Sequence, residues 1–254
     1  MAAPLLRLAS GRRVAQALEV RITRHGEHLV QLTRFAALFP MNCYLVIEED
    51  GLTLVDTTIS APTPDVARME QELGLKLKRI ALTHAHGDHV GGVAGLRQSY
   101  PGIEVSIGVR DARLLAGDKS APPDEPNAPP KGMLPRVAWK PDTLLEEGDR
   151  VGSLQVIASP GHTPGHIAFL DTRDRSLIAG DAFQTRGGLA VSGVVRPLFP
   201  FPALATWHKP SALKSAVALR QLNPSRLATG HGDVLEQPAE PVDRAIETAR
   251  RKFG

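Results

Sequence analysis

Apolar and polar residues alternate with the period of β-strands through the first part of the chain. Two pairs of such segments, each joined by a short polar turn, predict two β-hairpins. A segment of helical period with a glycine at its end then predicts an amphipathic helix, which leads into a short apolar strand. The predicted strands are residues 20–23, 28–33, 42–47, 52–56 and 79–82, and the predicted helix is residues 62–73.

The second half of the chain repeats this pattern. A hairpin over residues 167–170 and 176–181 ends in an acid, Asp181, as the earlier hairpin ends in Asp56. The repeat indicates two related sheet halves, and the alternation of strands with helices indicates helices layered over sheets. Further strands are predicted over residues 104–109, 154–158 and 226–229, and further helices over 111–116 and 238–253.

Seven prolines between residues 117 and 141 exclude regular secondary structure there. A long loop within a compact domain is commonly a lid or a binding loop, so we expect this segment to border a functional site. A surface spacer is the alternative.

Composition and charge set the class of protein. With 254 residues and 42% hydrophobic content, the chain can fill the core of one large α/β domain or of two small ones. The net charge of +3 comes without a basic stripe, so we expect no nucleic-acid partner. No apolar run approaches the roughly 18 residues that span a bilayer, so we expect no membrane partner. The single cysteine, Cys43, excludes an internal disulfide, and its apolar setting predicts a buried, inert thiol.

The first eighteen residues contain Arg7, Arg12 and Arg13 and no acid, a composition that faintly resembles a transit peptide. Pro4 and Arg7 interrupt their apolar part, which argues against export. We therefore expect residues 1–18 to be a frayed terminus and the protein to be cytoplasmic.

The candidate chemistry is concentrated just after the strand over residues 79–82. Three imidazoles and a carboxylate stand within six residues, at His84, His86, Asp88 and His89. Packed together they would lack hydrogen-bond partners, whereas metal coordination satisfies them jointly. Imidazole nitrogen and carboxylate oxygen suit zinc, iron or manganese. Because so short a loop cannot surround one ion, His84 and His86 are expected to face one metal, and Asp88 and His89 its neighbour.

Two further histidines stand at predicted strand ends. Glycine and proline on both sides of His162 fix a tight turn, which is how a scaffold aims a side chain into a site. His231 lies between two glycines after the strand over residues 226–229.

These motifs, in this order, resemble the metallo-β-lactamase superfamily of hydrolases. The resemblance rests on His84-x-His86-x-Asp88-His89, Gly161-His162-Thr163-Pro164-Gly165, Gly180-Asp181 and Gly230-His231-Gly232, and it covers nearly the whole chain. It implies a single domain over residues 1–254. The implied fold is a four-layer αββα sandwich of two mixed β-sheets with helices on the outer faces.

The resemblance also implies a role for each candidate residue. His84, His86 and His162 would bind a first metal ion, and Asp88, His89 and His231 a second. Asp181 would bridge both. Asp56 is expected to orient ligands without binding metal, and His166 either does the same or is a hydrogen-bonded structural histidine. Two zinc ions per chain are expected, with iron or manganese as alternatives.

The implied activity is hydrolysis of a small-molecule substrate by a hydroxide that bridges the two metals. Asp88 would hold that hydroxide and later pass its proton to the leaving group. No lactonase-type Tyr follows Asp181, and little more than one predicted helix follows His231, where thioester hydrolases of this family carry a glutathione-binding domain. We therefore favour a broad carboxylic ester or lactone hydrolase over a thioester hydrolase or a β-lactamase.

Two alternatives lie outside hydrolysis. A mononuclear iron persulfide dioxygenase shares the motifs. A non-catalytic binding protein that retains the fold would have lost ligands, whereas all seven expected ligand positions are intact here.

The segment over residues 185–207 follows Asp181 and is expected to border the site as a second loop. It is largely apolar, and Arg186 and Arg196 are its only charges. We expect Phe199, Phe201 and Trp207 to form an acyl pocket beside these arginines. The alternative is that the apolar residues cap the core or form the interface of a homodimer.

Overall fold

The computed structural model of the chain describes residues 20–123 and 125–253. The expectation of a frayed terminus or targeting segment at residues 1–18 lies outside the described residues. Within them, both hairpins predicted in the first part of the chain and the helix that follows them are present, with bounds that differ from the predicted ones by at most two residues. None of the helices in the described ranges is long and apolar enough to cross a bilayer.

The first half of the chain forms a mixed sheet of seven strands, which lie side by side in sequence order. The first four strands pair antiparallel, and the remaining pairs are parallel. The strands are β1 (Arg21–His25), β2 (Leu29–Arg34), β3 (Met41–Glu48), β4 (Gly51–Val55), β5 (Leu77–Leu82), β6 (Glu104–Gly108) and β7 (Thr143–Leu145).

The second half forms a mixed sheet of six strands and a separate two-stranded ribbon. The sheet contains β8 (Arg150–Val151), β9 (Leu154–Ala158), β10 (Ile167–Asp171), β11 (Ser176–Ile178), β14 (Arg226–Ala228) and β15 (Leu235–Glu236). Their spatial order is β15-β14-β11-β10-β9-β8, and only β11 and β14 pair in parallel. The ribbon consists of β12 (Phe183–Gln184) and β13 (Ala190–Val191).

Seven α-helices connect and cover the sheets in the part of the chain that the structure describes. They are α1 (Thr63–Leu73), α2 (Gly87–Val90), α3 (Val93–Ser99), α4 (Val109–Leu115), α5 (Phe201–Ala205), α6 (Lys209–Gln221) and α7 (Ala239–Phe253). The helix α1 ends as predicted, because Gly74 has a φ of 68° and adopts the left-handed conformation that glycine permits.

Three apolar clusters define the layers. One packs the first sheet against α1, α3 and α4, and a second packs the second sheet against α6 and α7. The third lies between the sheets, where Tyr44 and Val46 of β3 meet Val156 of β9 and Phe169 of β10. Successive side chains of β3 point to opposite faces of the first sheet, because Leu45, between Tyr44 and Val46, belongs to the first cluster. The predicted αββα sandwich is therefore confirmed.

Of the two segments predicted to be loops, one lacks regular secondary structure wherever the structure describes it, and the other contains a strand and a helix. No helix or strand occupies the described residues between α4 and β7, as the prolines predicted. The segment over residues 185–207 is not a plain loop, because it contains β13 and α5. Cys43 is fully buried, as predicted, and burial raises the pKa of its thiol.

Candidate metal centre

Every candidate ligand lies beyond the carboxyl end of a strand. His84 and His86 follow β5, and the short helix α2 then carries Asp88 and His89. In the second sheet, His162 follows β9, Asp181 lies in a 3₁₀ turn after β11, and His231 follows β14. Because the two sheets face each other, these strand ends bring residues from both halves of the chain to one edge of the sandwich.

The first group of candidate ligands is formed by His84, His86 and His162. His86 Nδ1 lies 3.1 Å from His84 Nε2 and 2.9 Å from His162 Nε2. Nitrogens that bind one zinc tetrahedrally at about 2.0–2.1 Å lie roughly 3.4 Å apart. The three imidazoles thus stand slightly closer together than metal coordination requires, and small rotations would fit them around one ion.

The second group is formed by Asp88, His89 and His231. His231 Nε2 lies 3.4 Å from Asp88 Oδ2, and one ligand atom from each of the three residues lies within 4.8 Å of the others. The structure therefore brings together the residues that the sequence assigned to a second ion.

Asp181 lies between the groups. Its Oδ2 is 3.3 Å from both His162 Nε2 and His231 Nε2, and its Oδ1 is 3.5 Å from His89 Nε2. Within the described residues, Asp181 Oδ1 and His89 Nε2 are buried without a hydrogen-bond partner. Unpaired buried polar atoms are costly, and a bound cation would satisfy both. The donor set therefore fits a pair of metal ions.

The ring nitrogens that face away from the centre are each paired with an oxygen. Such outer contacts fix the orientation of an imidazole, and they are typical of metal ligands. The pairs are His84 Nδ1 with Thr83 Oγ1 (3.0 Å), His86 Nε2 with Lys131 O (2.8 Å), His89 Nδ1 with Asp56 Oδ2 (2.8 Å), His162 Nδ1 with Ser192 Oγ (2.9 Å) and His231 Nδ1 with Pro40 O (2.7 Å).

Asp56 and His166 contact candidate ligands or their neighbours. Asp56 Oδ1 accepts a hydrogen bond from the Thr83 N–H (2.8 Å), while its Oδ2 faces His89. His166 Nε2 accepts a hydrogen bond from the Asp181 N–H (3.1 Å), and its Nδ1 lies 2.8 Å from Ser159 Oγ. Burial lowers the pKa of His166 to about 3, so the ring is neutral and Nε2 can accept.

Charge divides the imidazoles into two kinds. Burial lowers the pKa of His84 and of His162, which are therefore neutral, as metal ligands must be. Burial acts in the same direction on His89, but the carboxylates of Asp56 and Asp181 outweigh it and raise its pKa to about 9. The pKa of His231 is also raised, because Asp181 and Asp88 outweigh burial. Protons and metal ions therefore compete for His89 and His231.

The carboxylates show the complementary shift. Burial would raise the pKa of Asp88 and of Asp181, but neighbouring imidazoles hold both pKa values below the usual range. Ionised carboxylates in a buried site attract cations, which is the electrostatic requirement of a metal centre.

Sequence reasoning missed Asp111 as a residue of this site. Its side chain is fully buried in α4. It accepts hydrogen bonds from the Ala85 N–H (2.8 Å), the Thr163 hydroxyl (2.7 Å) and the Gly165 N–H (2.7 Å). It thus ties the loop of His84 and His86 to the loop of His162. The available signal was an acid at the first position of the helix predicted over residues 111–116, two positions after the end of a predicted strand.

A cleft of about 360 Å³ opens over the centre. Five candidate ligands line it: His86, Asp88, His162, Asp181 and His231. The remaining wall is mostly apolar and includes Phe39, Met41, Met133, Phe201 and Leu204. The loop over residues 117–141 borders the site through Gly132 and Met133.

The structure corrects the predicted substrate pocket, because only Phe201 of its five residues lines the cleft. Phe199 is buried behind it, with its ring 5.3 Å from that of His231. Trp207 is buried elsewhere, and its Nε1 donates to Ala128 O (2.8 Å). Arg186 and Arg196 instead donate to the backbone carbonyls of Ala37 and Leu189. The physical reason is that this segment contains β13, which pairs with β12, and the short helix α5, so its residues do not all face the cleft.

Comparisons with known proteins agree with this geometry. A family model described as the metallo-beta-lactamase superfamily matches residues 37–231. The chain is 50% identical over 91% of its length to the uncharacterized protein YobT of Bacillus subtilis (strain 168), whose whole length is covered. It is 38% identical over 51% of its length to a hydroxyacylglutathione hydrolase of Rhodopseudomonas palustris (strain BisB5), of which the match spans 44%.

Solved structures show the same architecture. The protein TTHA1623, in a di-iron-bound form, superposes with a TM-score of 0.59 at 29% identity, over 79% of this chain and 92% of that one. The DIM-1 metallo-beta-lactamase superposes with a TM-score of 0.68 at 20% identity, over 92% of this chain and 98% of that one. The latter similarity concerns the fold alone.

Proposed function

The chain belongs to the metallo-β-lactamase superfamily, and from this we propose that it is a hydrolase that uses two zinc ions to cleave a carboxylic ester or a lactone. One observation carries the proposal. Five buried imidazoles have their outer nitrogens held by oxygens, while their inner nitrogens converge with the carboxylates of Asp88 and Asp181. An arrangement of this kind serves metal-assisted hydrolysis.

Each residue of the centre has a part in this proposal. His84, His86 and His162 would hold one ion, Asp88, His89 and His231 the other, and Asp181 both. When bound, such a pair supplies a water molecule acidified toward a pKa near ~7 and polarises the carbonyl that this water attacks.

Asp88 is the candidate for proton transfer. It lines the cleft, its side chain is 16% exposed, and the imidazoles of His89 and His231 lower its pKa against the effect of burial. An ionised carboxylate here can accept the proton of the attacking water and return it to the leaving alkoxide oxygen. The single bond between the acyl carbon and the leaving oxygen then breaks. An ester releases an acid and an alcohol, and a lactone opens to one hydroxy acid.

The cleft wall supports an ester or a lactone over substrates with fixed charges. Among the described residues that line it there is no Lys or Arg. The carboxylates of glutathione or of a β-lactam would therefore find no cationic side chain in the wall. A neutral carbonyl substrate with an apolar substituent needs none.

A thioester hydrolase is the second candidate, favoured by the similarity to hydroxyacylglutathione hydrolases. These two matches span 44% and 48% of the enzymes concerned, so the similarity covers only part of their length. The difference between the two candidates lies in the leaving group, which is an alkoxide for an ester and a thiolate for a thioester.

Elemental analysis and one substrate panel test the proposal. We expect about two transition-metal ions per chain, loss of activity on chelation, and recovery on adding zinc. The panel contains short and long aryl esters, acyl lactones, a glutathione thioester and a chromogenic cephalosporin, and we expect the highest kcat/KM with an ester or lactone. Faster turnover of the thioester would favour the second candidate. A single iron ion, with oxygen consumed in the presence of a persulfide, would indicate a dioxygenase instead.

A further inference from the structure

A second cleft, of about 370 Å³, shares Met133 with the cleft over the metal centre. The helices α2 and α3 form one side of it, and the loop over residues 133–139 forms the other. None of the described residues that line it is charged. Its larger side chains are Ile59, Val90, Met133, Val137 and Trp139.

Met133 lies directly at the junction of the two clefts. The N–H of Gly87, which stands between His86 and Asp88, donates to Met133 O (2.9 Å). A Cβ atom on Gly87 would lie 3.0 Å from Met133 Cε, so the thioether rests on the backbone at the edge of the centre. The side chain of Met133 is unbranched and the residue is 57% exposed, so it can move aside without unpacking the core.

Exposed apolar side chains concentrate along these clefts. In the described part of the chain, eight large hydrophobic residues are exposed, and four of them line one cleft or both. Contiguous exposed apolar surface beside a site is typical of ligand binding. The four residues are Ile59, Met133, Phe201 and Leu204.

We infer that the second cleft receives the acyl chain of a substrate whose carbonyl lies at the metal centre. The inference rests on the proposed ester or lactone hydrolysis and narrows its substrates to those with a medium or long, uncharged acyl chain. A polar or charged chain would lose hydration there without gaining a partner. An alkyl chain would gain about fourfold in kcat/KM for each methylene group that it buries.

Filling the cleft tests this inference. Ala94 is exposed on α3 and lines the cleft, so Ala94→Phe adds a ring there without entering the core. For the wild-type enzyme loaded with zinc, we expect kcat/KM to rise from acetyl to decanoyl esters. In Ala94→Phe the ratio of decanoyl to acetyl kcat/KM should fall by at least tenfold. The matched control is Gln98→Phe, which places the same ring one turn further along α3, outside the lining, and should leave the ratio unchanged.

A binding measurement separates the inference from the proposed hydrolysis. Trp139 lines the cleft, so decanoate should change tryptophan emission and acetate should not. Trp139→Phe should abolish the change, and Ala94→Phe should weaken decanoate binding.

The outcomes distinguish the two proposals. A decanoyl-to-acetyl ratio near one, or a ratio that Ala94→Phe leaves unchanged, would overturn the acyl cleft while ester hydrolysis stands. Absence of turnover for every ester and lactone would overturn the proposed hydrolysis. In that case, decanoate binding that changes the Trp139 emission and is weakened by Ala94→Phe would still support an alkyl-binding cleft. If decanoate did not bind, the alkyl-binding cleft would also be overturned.

Discussion

Asp181 is the side chain on which both groups of candidate ligands converge. Its Oδ2 lies 3.3 Å from the inner nitrogens of His162 and His231, which belong to different groups. Because the change Asp181→Ala removes a contact from each group, we expect the variant to retain fewer than two metal ions per chain. It should also lose most of its activity. Elemental analysis and kcat/KM measure the two effects.

His166→Ala is the comparison for Asp181→Ala. His166 is buried in the same region but contacts Asp181 only through its backbone N–H. Loss of a residue that orients a ligand typically reduces metal affinity or activity by about 10- to 100-fold. The Asp181 variant should therefore be the more severely impaired of the two. Equal losses at the two positions would contradict a bridging role for Asp181.

Asp111 gives a second prediction at the scale of single residues. Asp111→Asn replaces an acceptor oxygen with an amide N–H₂, which would face the hydrogen-bond donors of Ala85, Thr163 or Gly165. The two loops that carry His84, His86 and His162 should then separate slightly. We expect zinc affinity to fall about 10- to 100-fold, measured by competition with a chromogenic chelator.

The control for Asp111 is Asp243→Asn, in which the same change is made on the exposed surface of α7. It should bind zinc as tightly as the wild-type protein. A circular dichroism spectrum shows whether Asp111→Asn remains folded. A folded Asp111→Asn variant with unchanged zinc affinity would show that the tie between the loops has no role in metal binding.

At the scale of elements, the strands and helices with strong apolar contrast could be predicted from the sequence. The hairpins, α1 and α7 each present a regular alternation or a helical apolar stripe, and their bounds were predicted within two residues, except that the strand predicted over residues 176–181 ends at Ile178. The helix α6 was missed, because its buried face consists mainly of Ala212, Ser215, Ala216 and Leu219, which differ little from its exposed face. The ribbon strands β12 and β13 are too short for any periodicity.

The same limit explains the error over residues 185–207. Its apolar residues fit a pocket wall and a core equally well by composition. In the structure Phe199 is 1% exposed and Phe201 is 51% exposed, although they stand two positions apart. Their difference depends on where α5 begins, and α5 spans only Phe201–Ala205. A helix of this length leaves almost no periodic signal in the sequence. The packing of this segment could therefore not be predicted from the sequence.

The loop over residues 117–141 can be tested through one glycine. Gly132 has a φ of 79°, and a Cβ atom on it would lie 2.4 Å from His86 Nε2. Gly132→Ala should therefore displace either the loop or the His86 ring, whose Nε2 faces the Lys131 carbonyl. We expect weaker zinc binding and lower kcat/KM, measured by chelator competition and ester hydrolysis.

Gly102→Ala, outside the loop, is the matched control for Gly132→Ala. Gly102 has a similar φ of 82°, but no atom lies within 4 Å of the Cβ position. Its substitution should cost about 1–2 kcal/mol of stability through backbone strain, with zinc affinity unchanged. Similar zinc affinity in the two variants would show that the loop does not control the orientation of His86.

At the scale of the whole molecule, the candidate centre lies across the two sheets. The first sheet and α2 supply His84, His86, Asp88 and His89, and the second sheet supplies the rest. Sequence analysis predicted all of these residues, because their chemistry is carried by the residue types and their order. It could not predict Pro40 O or Lys131 O as partners, because backbone carbonyls are the same in every residue.

Hydrogen bonds from the first sheet already reach the second at the same edge. Asn42 Nδ2 donates to Thr229 O (2.8 Å) and to Gly232 O (2.7 Å), and the Tyr44 hydroxyl donates to Thr229 O (2.6 Å). These bonds position the loop of His231 against β3. A metal pair would add a second link between the sheets, since its ligands come from both.

Removal of metal should therefore destabilise the whole fold as well as abolish activity. Ligand at 100 times its Kd stabilises a protein by about 2.7 kcal/mol, which for a domain of this size corresponds to a Tm shift of about 5–10 °C. We expect chelation to lower Tm by at least this amount and added zinc to restore it, measured by differential scanning calorimetry. Asp181→Ala should show a smaller zinc-dependent shift, whereas Asp243→Asn should behave as the wild-type protein does. If the Tm of the wild-type protein did not depend on zinc, apolar packing and direct hydrogen bonds, such as those of Asn42 and Tyr44, would be sufficient to hold the two sheets together.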